Sequence, residues 1–575
     1  MFVHADRPMV LKTPAGEDAL ILVGFQAHEA ISELFHLRME LVSQQPNVEF
    51  DKLLGQSVTV EWDIGQDEPR CFNGIVTRFS QAERTVGFTR YSMEVVPKIW
   101  TLTRRARSRI FQHLTVPDIL RKVLEGFDVR YELTGQYEQR DYCAQYRETD
   151  FQFLSRLMEE EGIYYFFEHT SDGHKLVVAD NPQSHPDLPG DASIIYEEIS
   201  GGKRDEERIS SWEKTQELRS GKYTLWDHCF ELPGKNLEAS KTIQDTVQIN
   251  RTTHKLRVGG NDQFELYDYP GGYAQRFDGV TPGGGDNASD IQKIFQDNQR
   301  TVEIRMQAEA APSLVIQGGG DVQAFTSGYK FNLTRHFSDD GRYVLTSVDH
   351  FAHQPLGSEE RAEEGFRYEN RFTAIPHAVP FRPRRITPVP LVRGTQTATV
   401  VGPAGEEIYT DKYGRIRVQF HWDREGKKDV NSSCWVRVAT LWAGKQWGMV
   451  HIPRIGQEVV VDFLEGDPDR PIVIGSVYNA EQMPPYAHQG SDRGQRIHHH
   501  QEGRPHAGSD HGEAVSHHQR RHDPRDQAGQ PDDYHRHGQQ VHHPQDGQHD
   551  HQAQPREERG RGLAVHRAQG GPEQH

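Results

Sequence analysis

The chain has 575 residues, a formal charge of -18, only 35% hydrophobic residues and a mean hydropathy of -0.78. That length exceeds what one hydrophobic core can serve and predicts about three or four domains. The acidic balance argues against a nucleic-acid partner, which needs Lys and Arg clustered on a phosphate-facing surface, and no apolar run reaches the roughly 18 residues of a membrane span. The opening MFVHADRPMVLKT lacks the apolar stretch of a cleavable export signal. The expectation is a soluble protein that stays in the cytoplasm until another machine carries it out. Cys71, Cys143, Cys229 and Cys434 lie far apart with no metal-type spacing and read as free thiols.

From the N-terminus to about residue 115, short β-favouring runs at Leu20–Phe25, Leu37–Leu41, Val58–Trp62, Phe72–Phe79 and Tyr91–Val96 are bounded by Gly, Asp or Pro. Val116–Phe127 carries Ile119, Leu120, Val123 and Leu124 at helical spacing with Pro117 in its first turn, and predicts a short helix. A compact unit follows. Asp150 is expected to cap a helix FQFLSRLMEEE that Gly162 ends in a left-handed conformation. Strands Ile163–His169 and Lys175–Asp180 then flank a Ser171-Asp172-Gly173 turn.

Two features of this unit invite functional readings. Glu159, Glu160 and Glu161 resemble paired catalytic carboxylates, but consecutive helical residues point about 100° apart, so a solvated face is expected. The aromatic run Tyr164 to Phe167 resembles a carbohydrate platform, yet on a strand it alternates between faces, which predicts ordinary packing. Residues 200 to 370 read as strands and loops, including Leu314–Gln317, Tyr329–Thr334 and Tyr343–Asp349. The runs Gly283–Gly285 and Gly318–Gly320 lack the strand and helix context and the lysine of phosphate-binding loops, and are expected to be plain loops.

The proline-rich, basic segment Phe381–Pro390 suits a stiff linker. Beyond it, Arg415–Trp422 alternates Ile416, Val418, Phe420 and Trp422 with Arg415, Arg417, Gln419 and His421, the period of a half-buried strand. Further short strands are expected at Cys434–Thr440, Gly448–Pro453, Glu458–Leu464 and Ile472–Tyr478. Roughly five strands without intervening helices predict a small barrel of the OB type. His421 and Asp423 share a face without a nucleophile beside them and are expected to make structural hydrogen bonds. Asp467 and Asp469 supply too few oxygens for calcium and are expected to form a turn. No H-E-x-x-H, G-x-S-x-G or EF-hand pattern is present, so no catalytic, cofactor-binding or metal-ligating residue is assigned and no cofactor is expected.

Several blocks together carry a family resemblance. GFQAHEAISELF (24–35), FNGIV (72–76), RIFQ (109–112), CAQYRETDFQFLSRLMEEEGIYYFFEH (143–169), YENRFTAIP (368–376) and the barrel from EEIYTDKYGRIRVQFHWDREG to GDPDRPIVIGSVYNAEQMPPY resemble VgrG, the valine-glycine repeat spike of type VI secretion systems. The resemblance implies a mainly β, β-rich α+β fold with phage-hub-like barrel domains and short helices, followed by an OB-fold barrel. It divides the chain into a hub at 1–380, a linker at 381–395, a barrel at 396–487 and a tail at 488–575. It further implies a homotrimer that caps the Hcp tube and works with baseplate components and effectors. A PAAR-repeat tip would sit on a β-helix needle. Delivery would be by mechanical puncture, without catalysis and without nucleic acid. The alternative is a phage-like baseplate protein with a cell-wall hydrolase or glycan-binding activity.

Where such a family continues into valine- and glycine-rich repeats, residues 488–575 turn instead to His, Gln, Arg, Asp and Gly. They contain no lysine and hold about half of the chain's 32 histidines. This composition predicts disorder; loose metal binding through His498–His500 and a fused effector domain are the weaker readings. A reading-frame shift near codon 488 accounts for the abrupt change, and loss of the needle would leave the tip protein without a platform and impair secretion. Translation of the coding strand past Ala487 in the other two frames is expected to yield a valine- and glycine-rich repeat, and its absence from both would refute the shift.

Overall fold

The computed structural model describes residues 7–16, 18–65, 69–198, 206–277, 292–356 and 365–486. The reading of 488–575 as disordered and that of Gly283–Gly285 as a loop both lie outside the described residues.

Two β layers share one twelve-stranded sheet. In the first half the order is Met9–Lys12, Ser57–Trp62, Arg70–Arg84, Thr89–Val96, His36–Ser43 and Ile21–Ala30. Alternation drives it: in His36–Ser43, Leu37, Met39 and Leu41 are buried while His36, Arg38 and Glu40 face outward. The inward residues of these strands, with Phe25, Trp62 and Phe72, form one apolar core. Gln354 draws the outer strand back toward Ile21–Ala30: its side chain accepts from Met9 N and donates to the carbonyls of Met9 and Leu22 at 2.9–3.0 Å.

Ile21–Ala30 pairs antiparallel with Gly341–His353, from Gly24↔His353 to Ala30↔Ser347, and so joins the second half. A side chain at Gly24 would place its Cβ 2.7 Å from the Ala352 carbonyl oxygen, so the close pairing there requires glycine. The second half runs Gly341–His353, Lys330–Thr334, Ser193–Tyr196, Arg208–Gln216, Leu314–Gly320 and Arg367–Pro376, and the last strand pairs with the first to close a ring. Phe325, Phe331, Tyr343 and Phe372 fill it. Gly318–Gly320, expected as a loop, ends the Leu314–Gly320 strand. Side chains at Gly318 and Gly320 would collide with the Phe372 ring and the Arg208 carbonyl, so these glycines serve close strand packing.

Among the described residues, three helices attach to this frame. Helix α1, Val116–Val123, starts from a capping box between Thr115 and Asp118. Helix α2, Asp150–Glu161, corrects the expected cap. Thr149 and Gln152 exchange the two capping bonds at 3.0–3.1 Å, so the T-x-x-Q pattern governs the start. Asp150 is the first helical residue; it is fully buried, with its carboxylate on Arg105, Arg109 and Gln145. Gly162 ends the helix at φ 69 as expected. Helix α3, Ile294–Ala310, lies in a region expected to hold only strands and loops. Its buried face includes Asp297, Asn298, Thr301 and Arg305, and this polar stripe erased the apolar period that would announce a helix.

The C-terminal barrel is a five-stranded sheet in the order Arg417–Phe420, Gln396–Val401, Glu458–Phe463, Pro471–Val477, Arg437–Val438. Two expectations fail here. Arg415–Trp422 is not half-buried, because Arg415, Arg417 and Gln419 are only 3–5% exposed. Arg415 pairs with Asp411 at 2.6 Å, Arg417 lies 4.6 Å over the Trp435 ring, and Gln419 bonds Asp423. Nor does Gly448–Pro453 form a strand: only Trp447–Gly448 pairs, in a hairpin with Ala443–Gly444. Gln396–Val401 takes the place in the barrel that the missing strand was expected to hold. All four cysteines are buried thiols without a disulfide.

His185 offers a test of this packing. It is 1% exposed, stacks on Tyr164 at 5.0 Å and hydrogen-bonds the Gly328 carbonyl through Nδ1 at 2.7 Å. Burial lowers its pKa to about 4. Its contribution to stability is therefore full above the unfolded value of about 6.5 and is lost as pH falls, because the unfolded chain takes up a proton that the native pocket refuses. The stability advantage of the parent over His185→Gln should shrink by up to about 1.4 kcal/mol per pH unit below pH 6.5. Urea midpoints across that window measure it, and a pH-independent difference would contradict the assignment.

Candidate assembly surface and its internal clamp

The acidic end of α2 is not solvated as expected. A glutamate run at a helix C-terminus opposes the helix dipole, and here guanidinium groups answer it. Glu161 receives Arg140 at 2.7 Å, Arg300 at 2.6 Å and Arg276 at 3.3 Å, and its side chain is 3% exposed. Glu160 receives Arg140 at 3.1 Å and Arg276 at 3.2 Å, and Arg276 continues to Asp297 of α3 at 2.7 Å. Burial alone would raise the Glu161 carboxyl, but Arg276, Arg300 and Arg140 outweigh it and hold the pKa at about 2. Glu160 is likewise held well below the ordinary carboxylate range.

Glu159 points elsewhere and grips the segment leading to the barrel. Its carboxylate accepts from Ile386 N and Thr387 N at 3.0 Å and from the Thr387 hydroxyl at 2.6 Å. Arg382 adds bonds to the Gly162 carbonyl and to Gln307, both at 2.8 Å. One helix end thus holds α3 and the proline-rich segment together.

The barrel is also seated directly on the hub. Tyr142, Ala144 and Tyr146 share an apolar core with Val400, Val418, Phe420 and Phe463. Gln396 links Tyr146 and Trp422 through side-chain bonds at 2.9 Å. Asp467 and Asp469 form the expected turn, with Asp467 Oδ1 accepting Asp469 N at 2.9 Å. Asp469 then accepts Ala144 N at 2.5 Å, and burial together with the neighbouring Asp467 pushes its carboxyl above the ordinary carboxylate range. His421 and Asp423 do not meet: His421 contacts Thr397 at 3.1 Å, while Asp423 accepts the N–H groups of Glu425 and Gly426. Tyr164 to Phe167 alternate between two cores, as expected for packing residues.

What lies outside the barrel core is the more informative surface. Val438 pairs with Val473 in a parallel register, and Ala439 N continues the ladder to the Val473 carbonyl, so the chain beyond each strand leaves the barrel at the same end. The first continuation exposes Leu441 by 92%, Val450 by 80% and also Trp442, Trp447 and Met449; the second exposes Tyr478, Met483 and Tyr486. Trp442 and Trp447 meet edge to face at 5.3 Å across the hairpin. Apolar surface gathered in this way marks an interaction site. Sequence reading assigned Gly448–Pro453 to the barrel and so missed this surface, although the large apolar residues on both sides of Gly444-Lys445-Gln446 were its signal. The signal for the clamp was the glutamate run itself, whose unfavourable position on the helix demands cations.

Comparisons with known proteins accord with this architecture. Residues 28–356 match the phage tail baseplate hub family, and residues 398–478 match the type VI secretion system/phage-baseplate injector OB domain. The type VI secretion system spike protein VgrG1a of Pseudomonas aeruginosa is 39% identical over 478 residues, which cover 82% of this chain and 70% of that protein. VgrG1c of the same organism is 38% identical over 491 residues, covering 84% of this chain but only 63% of the relative. Among solved structures, an E. coli component of the type VI secretion system, described as similar to T4 bacteriophage tail proteins gp27 and gp5, superposes with a TM-score of 0.53 at 19% identity. That match covers 81% of this chain and 99% of the other.

The clamp makes a direct prediction. Glu161→Ala leaves Arg140, Arg276 and Arg300 around an uncompensated site and should cost about 3–5 kcal/mol, read by guanidinium denaturation of the full chain. A loss below about 1 kcal/mol, the range of a surface pair, would show that the network does not hold the hub together.

Proposed function

The chain belongs to the VgrG family of type VI secretion spike proteins, and from that premise we propose that it is the hub and spike component of such a system. In this reading residues 1–380 form the hub, 381–395 the linker and 396–487 the barrel of a homotrimer that caps the Hcp tube. Baseplate components, a PAAR-repeat tip protein and effectors are its further partners, and the tip is the one that depends on residues after 486. The protein is loaded in the cytoplasm and fired outward, and its work is mechanical.

The observation that carries this reading is the apolar strip at one end of the barrel. The barrel core is complete without Leu441, Trp442, Trp447, Met449 and Val450, and these exposed apolar side chains offer a surface to other copies of the chain. A closed three-fold ring covers the same strip on every copy and leaves none to propagate a filament. The parallel exit of the two apolar segments, which leave the barrel at the same end, supports this reading. The clamp of α2 serves the same task, since a part that transmits axial force needs a hub and barrel that do not shear.

Size-exclusion chromatography with light scattering on the full chain should give three times the 65.8 kDa chain mass. Leu441→Ser combined with Val450→Ser should shift the population toward monomer while leaving the circular dichroism spectrum unchanged. A monomeric parent chain would overturn the assignment.

A further inference from the structure

The ribbon in which Ala106–Phe111 pairs with Cys143–Thr149 carries a charged surface that neither the apolar strip nor the clamp uses. Arg105 lies in extended backbone just before the first strand, and Arg107 and Arg109 follow at every second position. All three converge on the buried carboxylate of Asp150. Arg105 donates to it through Nε and Arg109 through Nη2 at 3.3 Å, while Arg107 stops at 3.7 Å, short of a hydrogen bond. The two strands slip register between Arg107 and Arg109. Across that bulge Arg147 takes φ 52, and its N–H donates to Ser108 Oγ at 3.2 Å. Bulges re-aim side chains, and Arg147 is exposed. Arg104 adds a fifth guanidinium, 4.3 Å over the Trp100 ring.

The charge of this cluster is not balanced. Asp150 answers three arginines at once. Glu148 is buried and taken by Arg156 at 2.8 Å. Glu425 acts on Arg109 from the barrel. Among the described residues no carboxylate lies at ion-pair distance from Arg104 or Arg147. On a chain of net charge -18 this is a local excess of positive charge.

We propose that the arginine cluster docks an acidic segment of a partner protein, an extended stretch with Asp or Glu at alternate positions. Alternate side chains of an extended chain stand about 6.5–7 Å apart, the same repeat that sets Arg105 and Arg107 along their strand. Each guanidinium offers five donors in a fork that matches carboxylates. The Arg105 and Arg107 side chains are 45% and 40% exposed, so donors that Asp150 does not take are open to a second carboxylate. A short protein segment fits better than nucleic acid. The field of the cluster reaches about 8 Å at physiological salt, whereas a long polyanion runs past it over a chain whose net charge repels it.

Fluorescence anisotropy of a dye-labelled peptide of alternating glutamate and threonine, titrated with the full chain, tests this. Saturable binding that weakens as salt is raised is expected, with none for a peptide of alternating lysine and threonine. Arg104→Gln combined with Arg107→Gln should weaken binding about tenfold, with circular dichroism confirming that the fold is retained. Arg78→Gln combined with Arg90→Gln removes the same charge from exposed arginines elsewhere on the hub and should leave the affinity within about twofold. Absence of saturable binding would overturn the proposal, and so would equal losses in the two double variants, which would reduce the effect to net charge. An oligothymidylate of the same charge that binds as tightly as the glutamate peptide would overturn the choice of a protein partner. A change of mass by light scattering in the Arg104→Gln/Arg107→Gln variant, relative to the parent, would assign the cluster to contacts between copies instead.

Discussion

The arrangement rests on three adjacent glutamates at the C-terminal end of α2. Left in water they would oppose the helix dipole and repel one another. Buried without partners they would be prohibitive. Arg140, Arg276 and Arg300 resolve both problems, and because these arginines come from distant parts of the chain, satisfying the charges forces those parts together. Glu159, turned away by the helical repeat, takes the segment that leads to the barrel. One turn of helix therefore coordinates α3 and the approach to the next domain.

The barrel shows the complementary strategy. Arg415, Arg417 and Gln419 are buried with partners inside the barrel itself: Asp411, the Ser433 carbonyl and Asp423. Its large apolar side chains at Leu441, Trp442 and Val450 point outward. The seam with the hub is an apolar core through Tyr142, Ala144 and Tyr146, and the exposed strip is a second apolar surface, at one end of the barrel. The buried polar pairs fix direction through hydrogen bonds, while apolar contacts supply non-directional burial.

Much of the β framework was legible because period-2 burial survives in the residues themselves. The expected strands Leu37–Leu41 and Glu458–Leu464 match His36–Ser43 and Glu458–Phe463, which alternate in burial, and the 143–169 and 409–486 blocks carry the family resemblance. The failures have physical causes. Helix α3 was hidden because its buried face is polar. Asp150 was taken for a cap because an aspartate before an apolar run satisfies the local rule, while Thr149 and Gln152 satisfied a stronger reciprocal one. Gly318–Gly320 was taken for a loop because sequence cannot show that Phe372 and the Arg208 carbonyl lie where a side chain would be.

The sequence by itself determined the class of fold, the sites of most strands, the left-handed stop at Gly162 and the family. These depend on short-range periodicity and on backbone conformations that neighbouring residues impose. Only the tertiary structure decided the environment of each charge. Whether Glu161, Asp469 or Arg417 meets water, a carboxylate or a ring depends on residues up to hundreds of positions away. Burial can raise a carboxyl, as at Asp469, while converging arginines lower one, as at Glu161. That balance of desolvation against Coulomb attraction is set by three-dimensional proximity, which no local pattern encodes.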